Sequence, residues 1–114
     1  MPDTIFDRIL AGEIPSDPVY TDDFVYACRD INPVAPSHVR GIPRDRKASF
    51  DELADAAPAE LGRFVSRVSL VARELGLAGP GYRVVFNHGA HGQQTVQYLH
   101  AHIIGGRQLQ WPPG

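Results

Sequence analysis

The sequence predicts a single α+β domain, residues 1–114, in which helices cover an antiparallel sheet. Three observations predict it. The first β-rich runs are joined by connections of hairpin length, which suit antiparallel strands and are too short for a parallel crossover. One long segment, Pro58 to Leu75, is apolar at helical spacing. A late segment, Val96 to Ile104, places Leu99, Ala101 and Ile103 in alternation with Tyr98, His100 and His102, the period of a strand.

The elements follow in order. Asp3 or Thr4 caps a short helix, with Asp7 at capping-box distance from Thr4, and Ile5, Phe6, Ile9 and Leu10 form its apolar stripe up to Gly12. Pro18 to Thr21 and Phe24 to Arg29 are strands about an Asp22-Asp23 turn. Asn32-Pro33 and Pro36 mark a loop, and His38 to Pro43 is a third strand. Arg40 shares the His38 face by alternation, where it could attract a phosphate, but Arg40-Gly41 is rather expected to disturb the strand. Ser49 with Glu52 predicts a capping box opening a short helix at Phe50 to Ala54. Pro58 suits the first turn of the long helix and Gly76 its end; its apolar face is Leu61, Phe64, Val65, Val68, Val71, Ala72 and Leu75. Tyr82 to Asn87 is a strand, His88 to Gln94 a loop, and Val96 to Ile104 the last strand, closed by Gly105-Gly106. The tail, Arg107 to Gly114, is irregular.

Composition narrows the function. Eleven Lys and Arg against thirteen Asp and Glu leave a net charge of −2, which does not hold nucleic acid by bulk charge. The single cysteine, Cys28, allows no internal disulfide and no zinc ribbon. No run approaches the roughly 20 apolar residues of a membrane span. Asp3, Asp7 and Arg8 interrupt any leader-like apolar stretch. The expectation is a cytoplasmic protein in a reducing compartment.

The chemistry concentrates at the end of the chain. On a strand, Tyr98, His100 and His102 share one face, with the two imidazoles roughly 6–7 Å apart and both able to touch one phosphate group. Imidazole is a nucleophile toward phosphorus and carries protons near neutral pH. Just before it, Gly89-Ala90-His91-Gly92-Gln93-Gln94-Thr95 offers permissive glycines, backbone N–H groups and a hydroxyl, the parts of an anion cradle. From spacing alone, the same pair also reads as a half-exposed surface pair or as metal ligands.

Here the chain resembles the histidine-triad nucleotide-binding proteins, in the nucleoside phosphoramidase branch. The resemblance runs from Asp3-Thr4-Ile5-Phe6 and Glu13-Ile14-Pro15 through the Asp30 to His38 segment and Gly81-Tyr82-Arg83-Val84-Val85. It continues with Gln94-Thr95-Val96 and ends with Gly105 to Gly114. It implies the HIT-like fold: a five-stranded antiparallel sheet, a short N-terminal helix and one long helix, dimerising into a ten-stranded sheet. It implies His100 as nucleophile on the α-phosphorus of a purine nucleotide, His102 as its phosphate and proton partner, and His38 as a further active-site histidine. Tyr98 stands where the motif has its first histidine. Asp30 would take the ribose hydroxyls; Ile5, Phe6, Ile9 and Ile31 would line the base slot, or simply pack the core. Asn87, Gln93, Gln94, Thr95 and Val96 would surround ribose and phosphate. No cofactor or metal is implied, and the tail with Trp111 would lie near the partner's site.

Departures from the family pattern, Tyr98, Gln93 in place of a glycine, and Arg40-Gly41, predict weakened turnover. Three functions follow: a purine nucleoside phosphoramidate or adenylate hydrolase, a nucleotide-binding module with little turnover, and a metal-binding protein in which His88 and His91 join His100 and His102.

Overall fold

A computed structural model describes residues 3–114; Met1 and Pro2 lie outside the described residues. The elements are α1 (Ile5–Leu10), β1 (Pro18–Thr21), β2 (Val25–Arg29), β3 (Ser37–Pro43), a 3-10 helix (Phe50–Asp55), α2 (Pro58–Glu74), β4 (Tyr82–Val85) and β5 (Ala101–Gly105). The strands form one antiparallel sheet in the order β1-β2-β3-β5-β4. The α+β architecture and element order are those the sequence predicts.

Alternation gives the sheet two faces. Val25 and Ala27 of β2, Val39 of β3, and Ala101 and Ile103 of β5 meet Phe64, Val68, Val71 and Ala72 of α2. On the opposite face Ile42 packs with Phe6 and Ile9 of α1 and with Tyr98. His38, Arg40 and His102 belong to this second face by strand alternation. The thicker core therefore lies under α2, and the α1 face is left for chemistry.

The helix ends obey local rules. Thr4 and Asp7 form the predicted capping box. At the end of α2, Gly76 at φ 78° lets Leu77 N–H reach Ala72 O while Gly76 N–H reaches Arg73 O, a closure that needs the left-handed residue. The second expected capping box does not form. Ser49 makes no side-chain cap bond, and Glu52 instead accepts from the Ala48 N–H at 2.9 Å. On α2, Phe64, Val68, Val71 and Ala72 are buried as expected, but Val65 is half exposed.

Two strand expectations change. Arg40-Gly41 does not disturb β3, which pairs without a break with β2 from Arg29↔Val39 to Val25↔Pro43. The Arg40 guanidinium lies over the Phe6 ring, 5.0 Å from its centroid, so the charged side chain is accommodated without leaving the ladder. The last strand is shorter than predicted, beginning at Ala101 rather than Val96. Its ladder with β3 ends at Gly41↔Ala101, two residues before Pro43, which has no N–H to offer a continued ladder. Upstream, Leu99 N–H bonds Lys47 O and Gln94 bonds Ala48 O. Inside–outside alternation nevertheless persists: Leu99 joins the α2 core and Tyr98 the α1 core. Among the described residues no helix is long and apolar enough to cross a membrane.

Candidate active site

Three histidines meet on the α1 face. β3 supplies His38, β5 supplies His102, and the segment entering β5 supplies His100. The rings of His100 and His102 lie 4.8 Å apart, those of His38 and His102 5.1 Å. His38 and His100 are buried and His102 is half-buried.

Their hydrogen bonds set the tautomers. Val34 N–H donates to His38 Nδ1 at 3.1 Å, so that nitrogen is bare and Nε2 carries the proton. His38 Nε2 lies 2.8 Å from His102 Nδ1 and therefore donates to it, which leaves the proton of neutral His102 on Nε2. His100 Nδ1 lies 2.7 Å from the Tyr98 carbonyl, which only accepts; Nδ1 is protonated, and Nε2 keeps its lone pair. The site thus holds one free imidazole lone pair beside one free imidazole N–H.

Burial keeps these rings neutral. It lowers the His100 pKa, as does the nearby Arg40 cation, while the bond to the Tyr98 carbonyl opposes the shift. His102 is pushed down to about 4, first by burial and then by its two histidine neighbours. His38 is lowered by burial against the pull of Asp30. Asp30 follows β2; its Oδ2 lies 3.4 Å from His38 Nε2 and 3.6 Å from Arg40 Nε. Its Oδ1 accepts from Asn32 N–H at 2.8 Å, fixing the turn.

Beside the histidines a cavity of about 390 Å³ opens between α1 and the end of β2, lined by Ile5, Ile9, Ile14, Asp30, Ile31 and Arg40 among others. Ile31 is 76% exposed, so it lines this slot rather than packing the core; Phe6 is fully buried beneath it and touches Tyr98 and His100. Ile5 and Ile9 do both, lining the cavity and packing in the α1 core.

Asn87 and Gln94 brace the loop. Asn87 Nδ2 donates to Gly92 O at 2.6 Å, and Gln94 Nε2 donates to Ala48 O and Val96 O. Gly92 is required, because a Cβ there would sit 2.3 Å from His88 O. Gln93 takes φ 61°, so its backbone adopts the left-handed conformation although the residue is not glycine. Thr95 and Val96 line a second cavity, with Thr4, Ile5 and Arg46.

The Tyr98 side chain points away from the three histidines, into the α1 core. Its ring is buried against Phe6 and its hydroxyl donates to Pro43 O. What residue 98 gives His100 is its backbone carbonyl. The four-imidazole set of His88, His91, His100 and His102 does not form either. Among the described residues one group of three has metal-ligand composition, Asp30, His38 and His102. Its two imidazoles already bond each other, and the Arg40 guanidinium stands beside the carboxylate. The sequence reading missed the Val34 N–H, which carries no side-chain signal. The sequence puts Arg40 on the His38 face, a place to attract a phosphate, but gives no sign of the isoleucine-lined slot it borders.

This geometry defines a class: a small α+β domain with a buried histidine cluster at the edge of an isoleucine-lined slot. The chain belongs to the HIT family, whose HIT domain matches residues 11–109. It is 47% identical over 117 residues to the adenylylsulfatase HINT1 of Arabidopsis thaliana, covering 97% of this chain and 76% of that one. It is 41% identical over 107 residues to the purine nucleoside phosphoramidase of Escherichia coli (strain K12), covering 94% and 90%. A HIT family hydrolase of Legionella pneumophila Philadelphia 1 superposes with a TM-score of 0.92 at 39% identity, covering 98% of this chain and all of the other.

Proposed function

We propose that the protein hydrolyses purine nucleoside 5′-phosphoramidates and related adenylates through a covalent nucleotidyl-His100 intermediate. The observation that carries the reading is the bare Nε2 of His100, fixed by the Nδ1–H bond to the Tyr98 carbonyl. The His100 Nε2 lone pair attacks the α-phosphorus and the phosphorus–nitrogen bond breaks. A proton taken up from solvent as the substrate anion binds charges the His38–His102 pair, and the amine leaves with that proton from His102 Nε2, which returns the pair to neutral. Water then cleaves the histidine–phosphorus bond, releasing the nucleoside monophosphate and restoring the imidazole. His38 is a positioning residue, since it holds His102 in the tautomer that donates. Relatives named for adenylylsulfatase and phosphoramidase activity support this chemistry.

The slot of Ile5, Ile9 and Ile31 takes the base, Asp30 the ribose hydroxyls, and the Gln93 to Val96 segment the phosphate and ribose. The left-handed backbone at Gln93 supports the last assignment, since the chain follows the path a glycine would give it. A homodimer joined along β4 and α2 is supported by the position of β4 at the sheet edge and by exposed Val65, Tyr82 and Val84. The tail lies along that edge, where Arg83 on β4 bonds Gln110 O and faces the Trp111 ring. It would therefore reach the partner's site.

The test is phosphorus NMR of adenosine 5′-phosphoramidate with the metal-stripped protein. Conversion to AMP by the parent and not by His100→Ala supports the reading. Binding without conversion would leave a nucleotide-binding module.

A further inference from the structure

Arg40 takes no part in the hydrogen bonds among the histidines, yet its surroundings are those of a recognition group. It lies in the middle of β3, opposite Cys28 on β2 and His102 on β5. Its side chain is 11% exposed and lines the isoleucine slot. Its guanidinium lies over the Phe6 ring. Its Nε is buried with no hydrogen-bond partner, and the nearest carboxylate oxygen, on Asp30, is at 3.6 Å, beyond hydrogen-bond range. Burying that one N–H without a hydrogen bond is costly unless an acceptor arrives to meet it. Ile5, Ile9, Ile14, Pro15 and Ile31 give the slot its apolar walls, the Arg29–Asp17 ion pair stands at its outer side, and its volume falls in the usual small-ligand range of about 300–1,000 Å³.

We propose that Arg40 is a specificity-determining residue that makes the slot select 6-oxopurines, guanine and hypoxanthine, over adenine; this rests on the slot taking the base of a purine nucleotide. The O6 and N7 acceptors of a 6-oxopurine match a guanidinium fork, whereas adenine turns an amino donor toward the same N–H groups. An added phosphate on the ribose would also offer acceptors, but its charge would meet the Asp30 carboxylate beside Arg40. A neutral carbonyl edge meets no such repulsion.

Calorimetric titration of the full chain with GMP, IMP, AMP and adenosine 3′,5′-bisphosphate tests this. The expected result is that GMP and IMP bind about tenfold or more tighter than AMP. In Arg40→Met, which keeps an unbranched stem but has no donors, that preference should shrink to within about twofold. IMP makes the parent decisive even if the variant folds poorly. If IMP binds as weakly as AMP while GMP binds tightly, the 2-amino group is being read and the assignment of Arg40 to the C6 edge is overturned. Equal affinity for GMP and AMP also overturns it and leaves the nucleotide reading intact. Tightest binding of the bisphosphate would show that Arg40 reads phosphate. Binding of none of the four would overturn this inference and the nucleotide reading together.

Discussion

His38 Nε2 donates to His102 Nδ1 across the β3–β5 ladder at 2.8 Å, and His38 is itself fixed by the Val34 N–H on its other nitrogen. A backbone amide in the loop before β3 thereby dictates which nitrogen of His102 is left bearing the proton, the one that meets the leaving group in the proposed reaction. Replacing His38 by alanine leaves His102 Nδ1 without its donor and frees the ring to change tautomer. Steady-state kinetics of His38→Ala should show kcat lowered by about 10- to 100-fold with KM changed much less. An unchanged kcat would remove His38 from the chain of protons.

Tyr98 gives His100 a backbone carbonyl, and its side chain serves the core. Tyr98→Phe removes the hydroxyl bond to Pro43 O and should lower stability by about 1–2 kcal/mol in denaturant unfolding. Its kcat should stay within about threefold of the parent, since the Nδ1 bond of His100 survives. A tenfold loss, or a tenfold gain in Tyr98→His, would show that the side chain at 98 does take part in turnover.

The loop before β5 depends on Gly92. In Gly92→Ala the new Cβ would overlap the His88 backbone, displacing the Asn87 bond to Gly92 O. Nucleotide affinity should fall by at least about tenfold, the loss of one well-formed charge-assisted hydrogen bond or more. Gly89→Ala, with no atom within 4 Å of its Cβ but φ at 68°, should cost only the backbone strain of about 1–2 kcal/mol. Equal affinity of Gly92→Ala and parent would show that the cradle tolerates a different backbone path.

Acid should destabilise the protein. An unfolded histidine titrates near 6.5, while burial holds His102 down to about 4 and lowers His38 and His100 as well. Below pH 6.5 the unfolded chain takes up protons that the folded chain refuses. Stability is therefore full above about 6.5 and falls as the pH drops toward 4, by at most about 1.4 kcal/mol per pH unit for each such ring. Chemical denaturation at pH 7.5, 6 and 5 reads the slope, and the His102→Asn variant should show a smaller one. Greater stability at pH 5 than at 7.5 would contradict the neutral cluster.

The fold was legible because local signals agreed with one another. Thr4 with Asp7, Pro58 and Gly76 each marked a helix end that the structure shows. The start of β5 was misjudged because alternation in sequence continues from Tyr98 to Ile103 while the hydrogen-bond ladder stops short of Pro43. Burial alternates with or without a ladder, so the period alone does not report pairing. The face shared by His100 and His102 was legible for the same reason. Tautomers were not, because they depend on the Val34 N–H and the Tyr98 carbonyl, backbone groups that every residue carries. Arg40 looked like a flaw in a strand because the stacking ring, Phe6, lies 34 positions away in sequence.

The covalent role of His100 is tested most directly by catching the intermediate. The parent is mixed with guanosine or adenosine 5′-phosphoramidate, quenched within the first turnover into alkali to preserve a histidine–phosphorus bond, digested and mapped by mass spectrometry. The account predicts a nucleoside monophosphate adduct on the peptide carrying His100, localised to that ring and absent in His100→Ala. An adduct on His38 or His102, or turnover by the parent with no adduct on any residue, would contradict it.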